Sequence, residues 1–557
     1  MTQKWSMKRR TVLGMLAGAP ALGALKALAD GSAQTKFPFG IASGDPLKDR
    51  VILWTKIHSM TPVDVEWQVA ADEDFSTLIS SGKKTSSASN DHIIKVDAMG
   101  LAPGQRYFYR FKVGESVSPV GRTRTLPEND VSQIRFAVTS CANYPYGFFN
   151  VYRHMAERDD LDAVLHLGDY IYEYPRGFYA SEAIEALGRV VNPAGEIIAL
   201  DDYRARYATY RLDPDLQAVH QAHPFIAVWD DHEAANDSYA TGAENHNEGE
   251  GDWMERRAAA RQAYFEWMPI RENSGDRQGE IYRSFDFGNL ARLIMLDTRL
   301  SGRVKPLTYG ADIEPEQITH DNEAKPRPDI KSFIEKKLLA PDRTILGKTQ
   351  EDWLRNELMA SKAKGQPWQI LGQQVLVGNL PIPKGGERLL PKEDFPQRKR
   401  VEMMFDLAPF KLPINLDAWD GYPAAKQRLI QDIMAHANNT VILAGDSHNA
   451  WAFDIKAGDI VAAAEFGTAS VTSPGLETYI PIKPSKLRRA LVKASPELNW
   501  TNSTERGYIT LTVTEEKTRA DFYFVETVAE RHAGATLEKS FEVQATTTPG
   551  VAPMKKV

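Results

Sequence analysis

The chain has 557 residues, of which 42% are hydrophobic, 10% aromatic and 25% charged, the balance of a sequence that buries a core, so general disorder is excluded. A formal charge of −7 leaves no basic footprint, which excludes a nucleic-acid-binding module. One cysteine, Cys141, excludes an internal disulfide, and its uses narrow to a buried apolar filler, a nucleophile or a metal-bound thiolate.

At the N-terminus, Lys8-Arg9-Arg10, an apolar run from Thr11 to Leu25 and Ala27-Leu28-Ala29 read as an export signal over 1–29. The paired arginines before a weakly apolar run resemble a twin-arginine signal, which implies the twin-arginine export machinery as a partner and a periplasmic or secreted bacterial location. An ordinary secretory signal is the competing reading. Removing 1–29, with five lysines and arginines and no acid, takes the formal charge from −7 to −12. No later segment has about 18 consecutive apolar residues, so no membrane span is expected and the mature chain should be soluble.

Between 37 and 127, short runs alternate apolar and polar residues: Val51–Thr55, Val63–Val69, Ile93–Val96 and Tyr107–Val113. This predicts half-buried antiparallel strands in a fibronectin-like all-β sandwich. Leu101-Ala102-Pro103-Gly104 followed by Tyr107 resembles a tyrosine corner, where a phenol hydroxyl ties down the turn between strands.

From Gln133 strands alternate with helices, an α/β layout expected to run over 131–530. Strands are predicted at Ile134–Thr139, Ala163–Leu167, Phe225–Trp229, Trp368–Leu371 and Thr440–Ala444, and helices at 146–158, 202–212, 253–267, 350–359 and 424–436. Long loops are expected over 303–343 and 381–419. Strands near 507–513 and 519–524 should close the domain, and 546–557 should be a disordered tail.

Chemistry gathers at predicted strand ends. Cys141 follows one strand, Gly168-Asp169-Tyr170-Ile171-Tyr172-Glu173 the next, Asp230-Asp231-His232-Glu233 a third and Gly445-Asp446-Ser447-His448 a later one. Loops after the C-terminal ends of strands are where α/β sheets place active residues. Three carboxylates around one imidazole in Asp230–Glu233 repel one another unless a cation intervenes. Singly, Cys141 reads as a buried small hydrophobe, Gly168-Asp169 as a turn and Tyr172 as a core tyrosine. Four convergent strand ends favour a multi-metal site.

The order strand-Cys141, Gly168-Asp169-x-x-Tyr172, Asp230-Asp231-His232-Glu233, Gly445-Asp446-x-His448 resembles the PhoD-type alkaline phosphatases, relatives of purple acid phosphatases and metallophosphoesterases, over nearly the whole chain. Ala42-Ser43-Gly44-Asp45-Pro46, Leu346–Leu354, Asp417–Pro423 and Thr472-Ser473-Pro474-Gly475 match as well. The resemblance implies a four-layer metallophosphoesterase-like β-sandwich flanked by helices, with iron(III) and calcium as cofactors. By motif position, Cys141, Asp169, Tyr172, Asp231, Asn236, Asp446 and His448 are the implied metal ligands, with Asp169 bridging and Cys141 and Tyr172 on iron. Asp231 takes the place of the bridging Asn of the metallophosphoesterase motif, and His232 contacts phosphate or protonates the leaving group.

The expected activity is hydrolysis of phosphomonoesters or phosphodiesters by water that metals make acidic enough to act as hydroxide. A phospholipase D-like lipid phosphodiesterase is the alternative, since Phe148-Phe149, Tyr174 and Phe178-Tyr179 offer an apolar entrance. A non-catalytic phosphate- or glycan-binding protein is disfavoured by the intact ligand set.

Overall fold

The computed structural model describes residues 36–180, 184–313, 330–531 and 534–557. The predicted export signal lies outside them. No helix among the described residues is long and apolar enough to cross a membrane.

In chain order the N-terminal strands are β1 (Ile41–Gly44), β2 (Arg50–Lys56), β3 (Asp64–Ala70), β4 (Leu78–Thr85), β5 (Ile93–Met99), β6 (Arg106–Val113), β7 (Ser116–Val117) and β8 (Gly121–Arg124). They are followed by β9 (Ile134–Thr139), β10 (Ala163–His166), β11 (Phe225–Ala227), β12 (Arg283–Phe287), β13 (Ala291–Met295), β14 (Trp368–Gly372), β15 (Asn439–Ala444), β16 (Ala450–Ala457) and β17 (Ile460–Gly467). The last five are β18 (Leu498–Asn502), β19 (Gly507–Val513), β20 (Lys517–Val525), β21 (Ala535–Gln544) and β22 (Lys555–Lys556).

Two large sheets form the centre. A ten-stranded sheet runs β22-β21-β20-β19-β9-β10-β11-β1-β2-β5, and a seven-stranded sheet runs β12-β13-β14-β15-β17-β16-β18. The parallel strands are apolar on both faces because both are covered. In β15, Val441 and Leu443 enter the large core that includes Phe136, Val138 and Phe466, whereas Ile442 and Ala444 pack with Leu354 and Leu358 of the 347–363 helix and Leu429 and Ile433 of the 423–436 helix. Helices against the outer faces complete the four-layer α/β sandwich expected from the sequence.

The all-β N-terminal segment is present, and it shares a sheet with the rest of the molecule. β1, β2 and β5 extend the ten-stranded sheet, with β1 parallel to β11, while β4-β3-β6-β7, with β8 on β6, form the facing sheet. Alternation in sequence identified β2, β3, β5 and β6 but carries no information on which sheet edge they complete. The Tyr107 hydroxyl accepts the Ala102 N–H at 2.8 Å, as the tyrosine corner requires.

At the other end the expectations need correction. Residues 546–557, read as a disordered tail, pack against the sheets. The Val551 N–H donates to the Val461 carbonyl at 2.9 Å, Val551 and Met554 are buried, and β22 pairs with β21. The sheet likewise continues past 530, because β21 pairs along the full length of β20. Two anchoring apolar side chains outweigh the polar Thr-Thr-Thr-Pro-Gly composition that suggested disorder.

Candidate active site

The ligand-bearing loops come from two sheets. Cys141, Asp169 and Asp230–His232 follow β9, β10 and β11 of the ten-stranded sheet, whereas Asp446 and His448 follow β15 of the seven-stranded one. The seam is fixed by Gln374, whose side chain donates to the Trp229 carbonyl at 2.7 Å across the sheets and accepts the Thr298 N–H at 3.0 Å.

Cys141, Asp169, Asp446 and His448 all have left-handed backbones, with φ of 63°, 55°, 56° and 60°. Such conformations are uncommon for residues with a Cβ and gather where function overrides local preference. They turn each chain sharply as it leaves its strand, so the side chains converge. Gly168, at φ 108°, permits the closest approach: a Cβ there would lie 2.3 Å from the Asp230 Cβ and 2.5 Å from its backbone nitrogen. Glu233 joins the same two loops, accepting the N–H groups of Asp169, Tyr170 and Asp230 at 3.0, 2.7 and 2.8 Å.

Three groups of ligand atoms lie within 4.8 Å of one another: Cys141, Asp169 and His448; Asp169, Asp231 and His232; and Asp230, Asp231 and Asp446. Tyr172 joins the first, its hydroxyl donating to Asp169 Oδ2 at 3.0 Å and lying 3.2 Å from His448 Nε2. The His448 Nδ1 faces the Pro474 carbonyl at 2.8 Å, so Nδ1 carries the proton and Nε2 presents its lone pair to the cluster. Asn236 lies four residues after His232. Its backbone N–H donates to Glu173 and its amide donates to Glu244 Oε2 at 3.1 Å.

The electrostatics match a cation-binding site. Burial and then the Asp169 carboxylate push both the Cys141 thiol and the Tyr172 phenol well above their usual ranges. Burial, only partly opposed by Arg299, pushes Asp446 up to about 7. Burial favours a neutral Asp231, yet Arg299 and His232 overcome it and hold this carboxyl below the usual range. The buried Asp169 Oδ1 and Asp230 Oδ2 have no hydrogen-bond partner. Acceptors without donors, beside a thiol and a phenol kept neutral by burial and the Asp169 carboxylate, are what a multivalent cation would satisfy, since its charge stabilises each deprotonated ligand. Sulfur, phenol and imidazole donors fit iron(III), and the carboxylate oxygens fit calcium.

Several residues that surround the cluster were given no role by sequence. Arg299, fully buried, donates through Nη1 to Asp417 at 2.6 Å and through Nη2 to Asp446 at 2.8 Å, and Nε bonds Asp230. Glu173 Oε2 lies 2.6 Å from His232 Nδ1, and Ser473 Oγ lies 2.6 Å from the Tyr172 hydroxyl. Burial would lower His232, but Glu173 and Asp231 raise it well above its ordinary value. Its ring is walled by Tyr172, Tyr174 and Tyr179 at centroid distances of 4.2, 5.2 and 6.4 Å. Asp417, Ser473 and Pro474 lie in matched segments, and that was the available signal; nothing local marks Arg299.

Comparison with known proteins places these features in context. Residues 136–522 match the family model described as PhoD-like phosphatase, and residues 23–127 match its N-terminal domain. The alkaline phosphatase D of Bacillus subtilis (strain 168) is 36% identical over 535 residues, covering 91% of this chain and 81% of that protein. A solved structure titled "Structure of PhoD" superposes with a TM-score of 0.77 at 33% identity, covering 95% of this chain and 93% of that one.

Proposed function

This chain belongs to the PhoD-like phosphatase family and is a phosphoric ester hydrolase, and from that premise we propose that it is an exported, metal-dependent enzyme for phosphomonoesters and phosphodiesters. The observation that carries this reading is the convergence of Cys141, Asp169, Tyr172 and His448 with Asp231 and Asp446 around orphaned carboxylate oxygens. Asp169, Cys141, Tyr172 and His448 would hold iron(III), Asp231 and Asp446 would hold calcium, and Asp169 would be common to both. Bound there, the ions supply Lewis acidity that favours ionised water near neutral pH and offsets charge on phosphoryl oxygens. Asn236 would offer its amide oxygen to calcium while its amide nitrogen stays on Glu244.

The protein's own groups divide the remaining work. His232, protonated and fixed at Nδ1 by Glu173, presents Nε2–H as donor to a phosphoryl oxygen or to the departing alkoxide. Tyr172, Tyr174 and Tyr179 restrict water around that ring. Cys141 is a ligand in this scheme and not the nucleophile, because its thiol is fully buried and driven towards the neutral form.

The lipid-directed alternative draws on one observation. Phe178 is 64% exposed and packs against Tyr174 at 5.1 Å, giving the aromatic wall beside His232 an apolar outer edge. Purified enzyme assayed with p-nitrophenyl phosphate, bis-p-nitrophenyl phosphate and phosphatidylcholine, with and without chelator, decides among the readings. Turnover of the nitrophenyl esters that stops on chelation supports the proposal, and turnover of lipid alone would replace it. Export is tested separately: Arg9→Lys with Arg10→Lys should retain the enzyme in the cytoplasm, and unaltered export would refute the twin-arginine route.

A further inference from the structure

The Ala42–Pro46 segment takes no part in the catalytic cluster, yet Asp45 is fully buried with φ of 42°. Its Oδ1 accepts from Arg283 Nη2 at 2.6 Å, and its Oδ2 accepts from Arg283 Nε at 2.8 Å and from the Arg271 N–H at 2.7 Å. Both carboxylate oxygens are therefore engaged, and the N-terminal strand β1 is fastened to β12.

Beside this pair lies a cavity of about 170 Å³ whose lining includes Asp45, Arg271, Asn273, Arg277, Arg283 and Trp353. Three guanidinium groups border it. Arg271 bonds Asp97 and, at 3.2 Å, the Asp45 carbonyl, but its buried Nε has no acceptor. The Arg277 guanidinium lies 5.8 Å from the ring centres of Tyr282 and Trp353, and its buried Nη1 also has no acceptor. Glu357, the other acid in the lining, is taken by Ser284 at 2.7 Å and Arg292 at 3.1 Å.

Guanidinium groups remain charged and cannot accept a hydrogen bond, so the two orphaned N–H donors, on residues that line one cavity, can take an acceptor brought from outside. The space exceeds the roughly 30 Å³ that one water occupies. Flat guanidinium edges with fixed donors match oxyanions better than neutral acceptors do. We propose that this cavity is a second anion site, taking a tetrahedral oxyanion of the phosphate or sulfate class on Arg271 Nε and Arg277 Nη1. It shares no residue with the catalytic cluster. An anion there would join Arg271 to Arg277 beside the Asp45–Arg283 pair that fastens β1 to β12.

Equilibrium dialysis of the holoenzyme against radiolabelled inorganic phosphate tests it. Arg277→Gln should bind one phosphate fewer per chain than the parent, and Arg271→Gln, which keeps the backbone N–H to Asp45, should lose the same equivalent. Inhibition of hydrolysis by phosphate should be unchanged in both, because the catalytic cluster is untouched. Excess sulfate should displace the extra equivalent from the parent. Equal phosphate stoichiometry in the parent and both variants would overturn the proposal and leave water as the occupant. Because the readout is a difference of one equivalent, it does not depend on whether the catalytic cluster binds phosphate.

Discussion

Glu173 places one carboxylate oxygen 2.6 Å from His232 Nδ1, while the other accepts the Asn236 N–H and the Asn245 amide, each at 2.8 Å. The carboxylate is itself held from three sides, so the imidazole has one orientation and its Nε2 faces the cluster. Glu173→Gln keeps the size and loses the charge. We expect kcat to fall about 10-fold to 100-fold for alkyl phosphates, whose leaving groups need a proton. For p-nitrophenyl phosphate, which departs as a stable anion, the fall should be several times smaller. An equal fall across leaving groups would show that Glu173 acts only on the fold.

Cys141 and Tyr172 approach Asp169 from different strands, and burial holds both neutral without a cation. Cys141→Ser and Tyr172→Phe should each lower the iron content found by elemental analysis and remove part of any visible thiolate or phenolate charge-transfer absorption. Calcium content should change less, because the Asp231 and Asp446 oxygens remain. Iron content equal to the parent in both variants would remove these residues from the ligand set.

How legible the molecule was in its sequence depends on whether the signal is local. β15 could be placed at Thr440–Ala444 because Val-Ile-Leu-Ala is apolar without interruption, and the 253–267 helix because Trp253 to Trp267 reads as an amphipathic run. Cys141, Asp169, Tyr172, Asp231, His232, Asp446 and His448 stood out as candidates because each follows such a strand, and the family resemblance supplied their implied roles. Arg299 was not, since an arginine after β13 is ordinary until Asp230, Asp417 and Asp446 are brought around it from three other segments. The sharing of the ten-stranded sheet by β1 was hidden for the same reason: the β1–β11 pairing spans about 180 residues.

Arg299 makes a second test of electrostatics possible. It compensates Asp230, Asp417 and Asp446 at once, with no exposure to solvent. Arg299→Ala leaves buried carboxylates facing one another, which for a broken buried pair costs about 3–5 kcal/mol. The urea midpoint at pH 8 should drop accordingly. Without the guanidinium, the carboxyls titrate higher in the folded than in the unfolded chain, so stability is retained at low pH and lost as pH rises. The deficit relative to the parent should therefore shrink towards pH 5. A deficit that is constant with pH would mean that Arg299 acts through packing.

His223 supplies a test remote from the cluster. It follows the 214–222 helix, and its Nε2 lies 3.0 Å from the Met155 carbonyl, an arrangement that the neutral ring satisfies by donating. Burial lowers its pKa from the ordinary 6.5 to about 4. The unfolded chain therefore takes up a proton between those values before the folded one does, and stability falls as pH drops through that window. His223→Gln keeps an N–H for Met155 and cannot titrate. Unfolding curves should show the variant gaining on the parent by about 1–3 kcal/mol between pH 7 and pH 4. His166, lowered by burial to about 3, remains in both proteins, so the variant should still lose stability in acid, only less steeply. Parallel curves over this range would show that the His223 ring titrates in the fold as it does in the unfolded chain.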